Sequence, residues 1–336
     1  MNMTSEKKSY LRYVARIFWN INERRLRALW RLLGAVLFIV ILTVVVGIVF
    51  AMLGATSPAP YLGQLQSNIA TVVAIWLAVR FLDKRKFSET GIQLNREWWI
   101  DLGFGLLMGA LLMTAVFLVE LAAGWIRISE TFRTANSGQP FIVAILLPTL
   151  FYLSVGIAEE LAFRGYLLLN VAEGFNFPFV SPRGALAISW LLTSALFGIL
   201  HATNPNATVV SSVNIVLAGM WLGLGYVLTG SLAIPIGVHF TWNFFQGNIF
   251  GFPVSGTNFF PTTFAVIEQG GPEVWTGGAF GPEGGLMGLF AIALGALLVT
   301  GWVRIRYGRP TLFTAIANPP PEWQMAAGDA SRRDAL

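Results

Sequence analysis

Long apolar runs alternate with short polar connections along most of this chain, a rhythm foreign to soluble domains. Crossing about 30 Å of hydrocarbon takes about 20 helical residues. Eight runs approach or exceed that length: Leu32–Leu53, Ser67–Leu82, Ile100–Gly124, Phe141–Leu169, Gly184–His201, Val209–Thr229, Ile234–Phe250 and Leu286–Val303. The second and seventh are short, and Pro235 sits near the start of the seventh. The pattern predicts an all-α fold, a polytopic transmembrane helix bundle of about eight spans.

The basic residues test that count. Eight precede the first span: Lys7, Lys8, Arg12, Arg16, Arg24, Arg25, Arg27 and Arg31. Arg80, Lys84, Arg85, Lys86 and Arg96 cluster between the second and third spans, and Arg304, Arg306, Arg309, Arg332 and Arg333 follow the last. Residues 54–66, 202–208 and 251–285 carry none, and 125–140 only Arg127 and Arg133. Eight crossings put every basic segment on one side, so the positive-inside rule makes both termini cytoplasmic. One crossing more or fewer breaks the alternation.

This divides the chain into a basic cytoplasmic segment (1–31), a transmembrane domain (32–303) and a cytoplasmic tail (304–336). The segment before the first span is too long for the charged region of a cleavable signal. Within it Leu11, Val14, Phe18, Ile21, Leu26, Leu29 and Leu33 recur near helical spacing. That spacing suits an amphipathic helix on the bilayer surface; an ordinary positive-inside flank is the alternative.

Composition sharpens the picture. Of 336 residues 55% are hydrophobic and 12% charged, against about 25% charged in soluble domains. There is no cysteine, hence no disulfide and no thiolate chemistry. The net charge of +5 belongs to topology and implies no nucleic-acid partner; the bilayer is the partner it fits. Only two histidines occur, His201 and His239.

The polar residues that lie inside the spans carry the chemistry. The fourth contains SVGIAEELAFRGYLL, with Glu159 and Glu160 adjacent. A carboxylate at bilayer depth costs roughly 2.5–3.5 kcal/mol on insertion scales. Glu160 and Arg164 are four apart, share a helix face and can pair. Glu159 points about 100° away and has no local partner, as befits a general base. The fifth span ends FGILHA, with Phe197 and His201 on one face, and the seventh holds GVHFTWNFF, with His239 and Asn243 on one face. Intramembrane ionisable groups face a bundle interior or a water-filled cavity. Three spans bringing these groups to one cavity make a hydrolytic site. Glu159 and His201 would hold and deprotonate a water, and His239 with Asn243 would donate to the developing oxyanion. A lone histidine would read as interhelical glue; six such groups together do not.

These residues resemble a family. EELAFR is similar to the EExxxR motif of the CPBP (CAAX-processing and bacteriocin-processing) intramembrane proteases, also called Abi, which include the type II CAAX prenyl endopeptidases. FGILH resembles their FxxxH and HFTWN their HxxxN, in the expected order on separate spans, within about 141–252. DKRKFSETGIQL also looks like the basic segment the family carries before the third span. The resemblance implies an intramembrane endopeptidase with Glu159 as base, His201 as its partner on the water, and His239 and Asn243 as the oxyanion hole. Glu160 and Arg164 would be the supporting pair. It also implies membrane-associated protein or peptide substrates, and a multi-pass protein of a prokaryotic plasma (inner) membrane.

The family has been described as both glutamate-dependent and metal-dependent. Glu159, His201 and His239 would be the ligands of a His₂Glu zinc site. HExxH is absent, however, and Arg164 opposes a dication, so no cofactor is the expectation and zinc the alternative. Other functions fit the same residues: a proton-coupled transporter using them as a relay, or a catalytically silent scaffold or bacteriocin-immunity protein. No inverted repeat supports the transporter. Two features remain. The 251–285 loop, aromatic and Gly-rich, is either packed on the bundle or a lid that guides substrate. The pairs Gly105/Gly109 and Gly219/Gly223 read as helix-packing contacts.

Overall fold

The computed structural model describes residues 15–21, 23–54, 60–136 and 138–318. Eight helices form the bundle: α1 (Ala28–Met52), α2 (Pro60–Leu77), α3 (Arg96–Ala122), α4 (Leu146–Glu160), α5 (Ser181–His201), α6 (Val209–Thr229), α7 (Ala233–Phe244) and α8 (Leu286–Tyr307). Three wider π-helical segments continue them: Ala78–Leu82 after α2, Leu161–Leu168 after α4 and Phe245–Ile249 after α7. Beyond the second of these, Leu169–Phe175 returns to α-helix.

Among the described residues seven stretches are long and apolar enough to cross a membrane on their own, and Ala233–Ile249 is not one of them. It runs the full depth of the bundle nonetheless. Its start is tied to the connection before α3, where the Leu232 amide donates to the Gly91 carbonyl at 2.9 Å, and its far end stacks Phe250 on Phe117 at 4.3 Å. It thus runs parallel to α3 from one face of the bundle to the other. Glycine makes this possible. A Cβ on Gly105 would stand 2.5 Å from the Ile234 carbonyl oxygen, and one on Gly237 would stand 2.7 Å from that of Leu102. The same close approach recurs between α5 and α6, where Gly219 lies on Ser194 and Phe197 and Gly223 on Trp190. The small-residue pairs are packing contacts.

The connections sort onto two faces. On the basic face the Asn176 amide donates to the Ala317 carbonyl at 2.9 Å, and the Phe313 amide to that of Val227 at 2.8 Å. Thr208 caps α6 in a box with Ser211, and Gly230, at φ +68°, ends that helix in the left-handed region and turns the chain sharply into α7. On the opposite face β3 (Ile126–Arg133) pairs antiparallel with β4 (Thr263–Gln269), with a register shift between Ile128 and Glu130. There too the Asn204 amide donates to the Ser255 carbonyl at 3.0 Å. The 251–285 loop is therefore ordered and packed on the bundle.

The stretch before α1 departs from the sequence expectation. Leu11 and Val14 lie outside the described residues. In the rest, β1 (Trp19–Asn20) pairs with β2 (Arg25–Leu26) and interrupts any amphipathic helix running into α1. Asn20 turns the chain by accepting from the Glu23 amide, and Arg25 is drawn into a buried ionic cluster. There Glu173 pairs with Arg25 at 3.0 Å, Arg31 at 2.8 Å and Arg85. Asp83 pairs with Arg31 at 3.3 Å and accepts from Asn170 at 2.9 Å. Burial and the neighbouring Arg25 lower the Arg85 guanidinium to about 10, still charged at neutral pH. α1 needs this clamp, since Val36, Val40 and Val44 face outward and little else of it is buried. Glu173→Gln removes the carboxylate that three buried guanidiniums share and leaves Arg25 to Glu23, Arg31 to Asp83 and Arg85 to Glu89, so it should incur part of the about 3–5 kcal/mol that breaking a buried pair costs. Its detergent melting midpoint should fall well below wild type; an unchanged midpoint would show that the cluster does not hold α1.

Candidate active site

Glu159 and Glu160 end α4, where the helix widens from α to π. Such wide turns are rare and occur often at functional sites. The wider turn keeps Arg164 in reach of Glu160, whose Oε1 accepts from Arg164 Nη1 at 2.9 Å. Arg164 also donates from Nη2 to the Gly219 carbonyl at 3.0 Å, and its guanidinium lies over the Phe197 ring at 4.6 Å. An aromatic face and a carbonyl suit a planar cation that water cannot reach.

Glu160 has a second partner. His239 Nδ1 lies 2.7 Å from the same Oε1, while His239 Nε2 stands 3.8 Å from Glu159 Oε2. The supporting pair read from the sequence is thus a triad, Arg164–Glu160–His239. Glu160 sets the ring plane of His239 and turns Nε2 toward Glu159. Glu159 itself is 23% exposed, whereas Glu160 is fully buried. That difference, in one helix turn at mid-bundle, locates a cavity.

The cavity has a volume of about 450 Å³, and Glu159, His201, His239 and Asn243 all line it. Ligand sites commonly measure about 300–1,000 Å³. Aromatic side chains of Phe151, Tyr152, Phe163, Phe197, Trp221 and Trp242 form much of its wall. His201, the last residue of α5, places Nδ1 2.8 Å from the Phe197 carbonyl. A carbonyl only accepts, so Nδ1 carries a proton, and in the neutral form of the ring the lone pair lies on Nε2. Asn243 sits one turn beyond His239 on α7, half-buried.

Gln64, Ser67, Asn204, Ser255, Thr257 and Glu283 line the outer part of the cavity. Their presence explains two differences from the sequence expectation. α2 begins well before Ser67 because the polar residues in YLGQLQS face this cavity, where hydropathy takes them for a connection. The 251–285 loop supplies part of the wall. It is pinned by Glu283, which accepts from the Ser255 hydroxyl at 2.8 Å and from the Gln246 amide. No sequence signal marked Glu283, whose partners lie far away in the chain. Glu159 lies toward the inner end of the cavity: on its own helix only Phe163 lines the wall more deeply.

The zinc alternative would draw on the same residues. Glu159, His201 and His239 share the cavity, yet no group of three His, Asp or Glu among the described residues gathers closely enough to hold a metal ion. Nδ1 of each histidine is engaged, that of His239 by Glu160 and that of His201 by the Phe197 carbonyl, which leaves both Nε2 atoms facing the cavity for a water or a metal ion.

The fold is that of a multi-pass integral membrane protein, with a polar site built into its helices. Residues 140–245, which include Glu159, Glu160, Arg164, His201, His239 and Asn243, match the family described as type II CAAX prenyl endopeptidase Rce1-like. The family resemblance read from the three motifs is thereby shown for the segment that carries them, and it supports a protease of this kind. An uncharacterized protein of Bacillus subtilis (strain 168), YyaK, is 29% identical over 220 residues, 63% of this chain and 70% of the relative. No solved structure matches the chain.

The geometry separates the two glutamates. Glu160→Gln leaves Arg164 buried without its counter-charge, so stability should drop by about 3–5 kcal/mol. Glu159→Gln disturbs only a 3.8 Å approach to His239 and should melt close to wild type. Equal midpoints for the two variants in detergent would refute this division.

Proposed function

We propose that this chain is an intramembrane endopeptidase that cleaves membrane-associated proteins or peptides with a water activated by Glu159 and His201. The carrying observation is the convergence of Glu159, His201, His239 and Asn243 on one cavity inside the bundle. Water held between the Glu159 carboxylate and the His201 Nε2 lone pair attacks the scissile carbonyl carbon as Glu159 takes its proton. The carbonyl π-bond opens to an oxyanion, received by His239 Nε2 and the Asn243 amide. Return of the proton to the amide nitrogen breaks the C–N bond and releases an amine and an acid. Glu160 and Arg164 act through His239, as positioning residues.

A peptide in a helix has its carbonyls tied into backbone hydrogen bonds. Substrates are therefore cut near a membrane boundary, or where Gly or Pro weakens the helix. The cavity is closed toward the basic face by the Arg164–Glu160 pair and by buried Leu161, Tyr226 and Leu232. A dead-ended cavity favours hydrolysis over conduction.

Comparing the membrane proteomes of cells carrying wild type and Glu159→Ala should reveal substrates that accumulate in the variant. On one of these, Glu159→Gln should lose cleavage; retained cleavage would remove Glu159 from the mechanism. Asn243→Ala should lower turnover by about 10²-fold, as for loss of an oxyanion donor, with substrate binding little changed. Strong chelators should leave the wild type active. Stoichiometric zinc, lost with activity on chelation and restored with it, would replace this mechanism by the His₂Glu one.

A further inference from the structure

The cavity runs from the middle of the bundle, where Phe163, Trp221 and Leu222 line it, to one face. Along α2 its lining residues are Gln64 and Ser67, near that helix's start. On α5 they are Phe197, Leu200 and His201, at its end, and on α8 only Ile292, near its start. The remaining wall includes Asn204 and the loop residues Val254, Ser255, Thr257, Phe259 and Glu283. Every one of these places lies toward the face that carries β3 and β4. No connection of the basic face, neither 83–95, 176–180, 230–232 nor 308–317, contributes a lining residue.

The two faces differ in charge. Of the 17 Lys and Arg among the described residues, Arg127 and Arg133 belong to the β3–β4 face and Arg164 to the interior; the other fourteen belong to the basic side. The two on the β3–β4 face are themselves paired, Arg127 with Glu268 and Arg133 with Glu130, both at 2.6 Å. So lopsided a distribution orients the bundle with its basic face in the cytoplasm. The mouth of the cavity then opens on the other side.

We propose that this protein takes its substrates from the non-cytoplasmic side of the membrane, as extended segments of exported or membrane-spanning polypeptides. The inference rests on the endopeptidase reading above. A lipidated C-terminal tail made in the cytoplasm sits on the inner leaflet and meets the face that Arg164, Glu160 and the core beneath them seal. It is thus not the substrate, although CAAX prenyl endopeptidase is the description of the family matched. The mouth is built for an extended backbone: amide and hydroxyl groups of Gln64, Asn204, Ser255 and Thr257 stand beside the aromatic rings of Phe259 and Phe151. The donor atoms of the polar set are engaged within the protein, by Asn68, the Ser255 carbonyl, Glu283 and the Val254 carbonyl. Its oxygens are what remain to accept from main-chain amides, and apolar side chains meet the rings.

The cysteine-free chain allows a direct test. Asn258, exposed beside Thr257 at the mouth, and Ser88, exposed on the basic face, are each replaced by cysteine. In sealed right-side-out vesicles a membrane-impermeant maleimide should label Asn258→Cys at once and Ser88→Cys only after detergent. The same vesicles should hydrolyse a pool of water-soluble quenched fluorogenic peptides, with Glu159→Gln as the blank. Sealed inverted vesicles should do so only once detergent opens them. Reversed labelling, or hydrolysis confined to inverted vesicles or to a farnesylated CAAX peptide supplied from that side, would overturn the inference and leave the endopeptidase reading standing. Labelling as expected, with no Glu159-dependent hydrolysis of these peptides or of the proteins that accumulate in Glu159→Ala cells, would overturn the endopeptidase reading and with it this one.

Discussion

A single carboxylate oxygen, Oε1 of Glu160, holds the centre of this molecule together. It receives the Arg164 guanidinium from its own helix and the His239 ring from α7. Without water to screen it, that oxygen is costly to bury and costly to leave unpaired. The consequence is geometric. α4 and α7 are locked at one height, His239 is held by one nitrogen, and its other nitrogen is aimed at Glu159. Arg164 extends the lock to α6 through the Gly219 carbonyl and to α5 through the Phe197 ring. Four helices meet at one charge pair.

Small residues make that meeting possible. α7 is the shortest of the crossing helices and among the most enclosed, with Ala233 to His239 all buried. It reaches its depth because Gly105 and Gly109 of α3 and Gly156 of α4 let backbones approach where a Cβ would collide or crowd. In lipid, where apolar burial gives no advantage over lipid contact, such close packing and a few polar contacts are what hold helices together. The ionic cluster around Glu173 does for the periphery what Glu160 does for the centre. It ties α1, which packs little, to the α2–α3 connection and to the helical extension of α4.

The same lock divides the bundle into a sealed half and an open half. On the basic side the core closes over Leu161, Leu168, Tyr226 and Leu232. On the other side the cavity widens among aromatic rings and is finished by the 251–285 loop, with Glu283 fastening it to Ser255 and Gln246. Water has to reach Glu159 while lipid stays out, and a wall of rings with polar groups at its outer end meets both needs. The short β3–β4 ribbon joins this loop to the α3–α4 connection, so strand pairing occurs only outside the helical bundle.

Much of this was legible in the sequence. The number of crossings follows from apolar run length and from the alternation of basic connections, because lipid tolerates neither charge nor unpaired backbone. The pairing of Glu160 with Arg164 follows from helical spacing, and the gathering of His201, His239 and Asn243 from the expense of polar groups at depth. Tertiary structure alone decided the rest. Hydropathy cannot tell that the residues just before Ser67 belong to α2, since a polar residue facing a cavity, as Gln64 does, looks like a connection. Periodicity cannot foresee that β1 and β2 interrupt the segment before α1, because the pull on Arg25 comes from Glu173, distant in sequence. Nor does any local pattern show that Glu160 also holds His239, or that Glu283 fastens the loop. Those contacts join residues that only packing brings together, and they set which nitrogen of His239 faces the cavity and on which side the cavity opens.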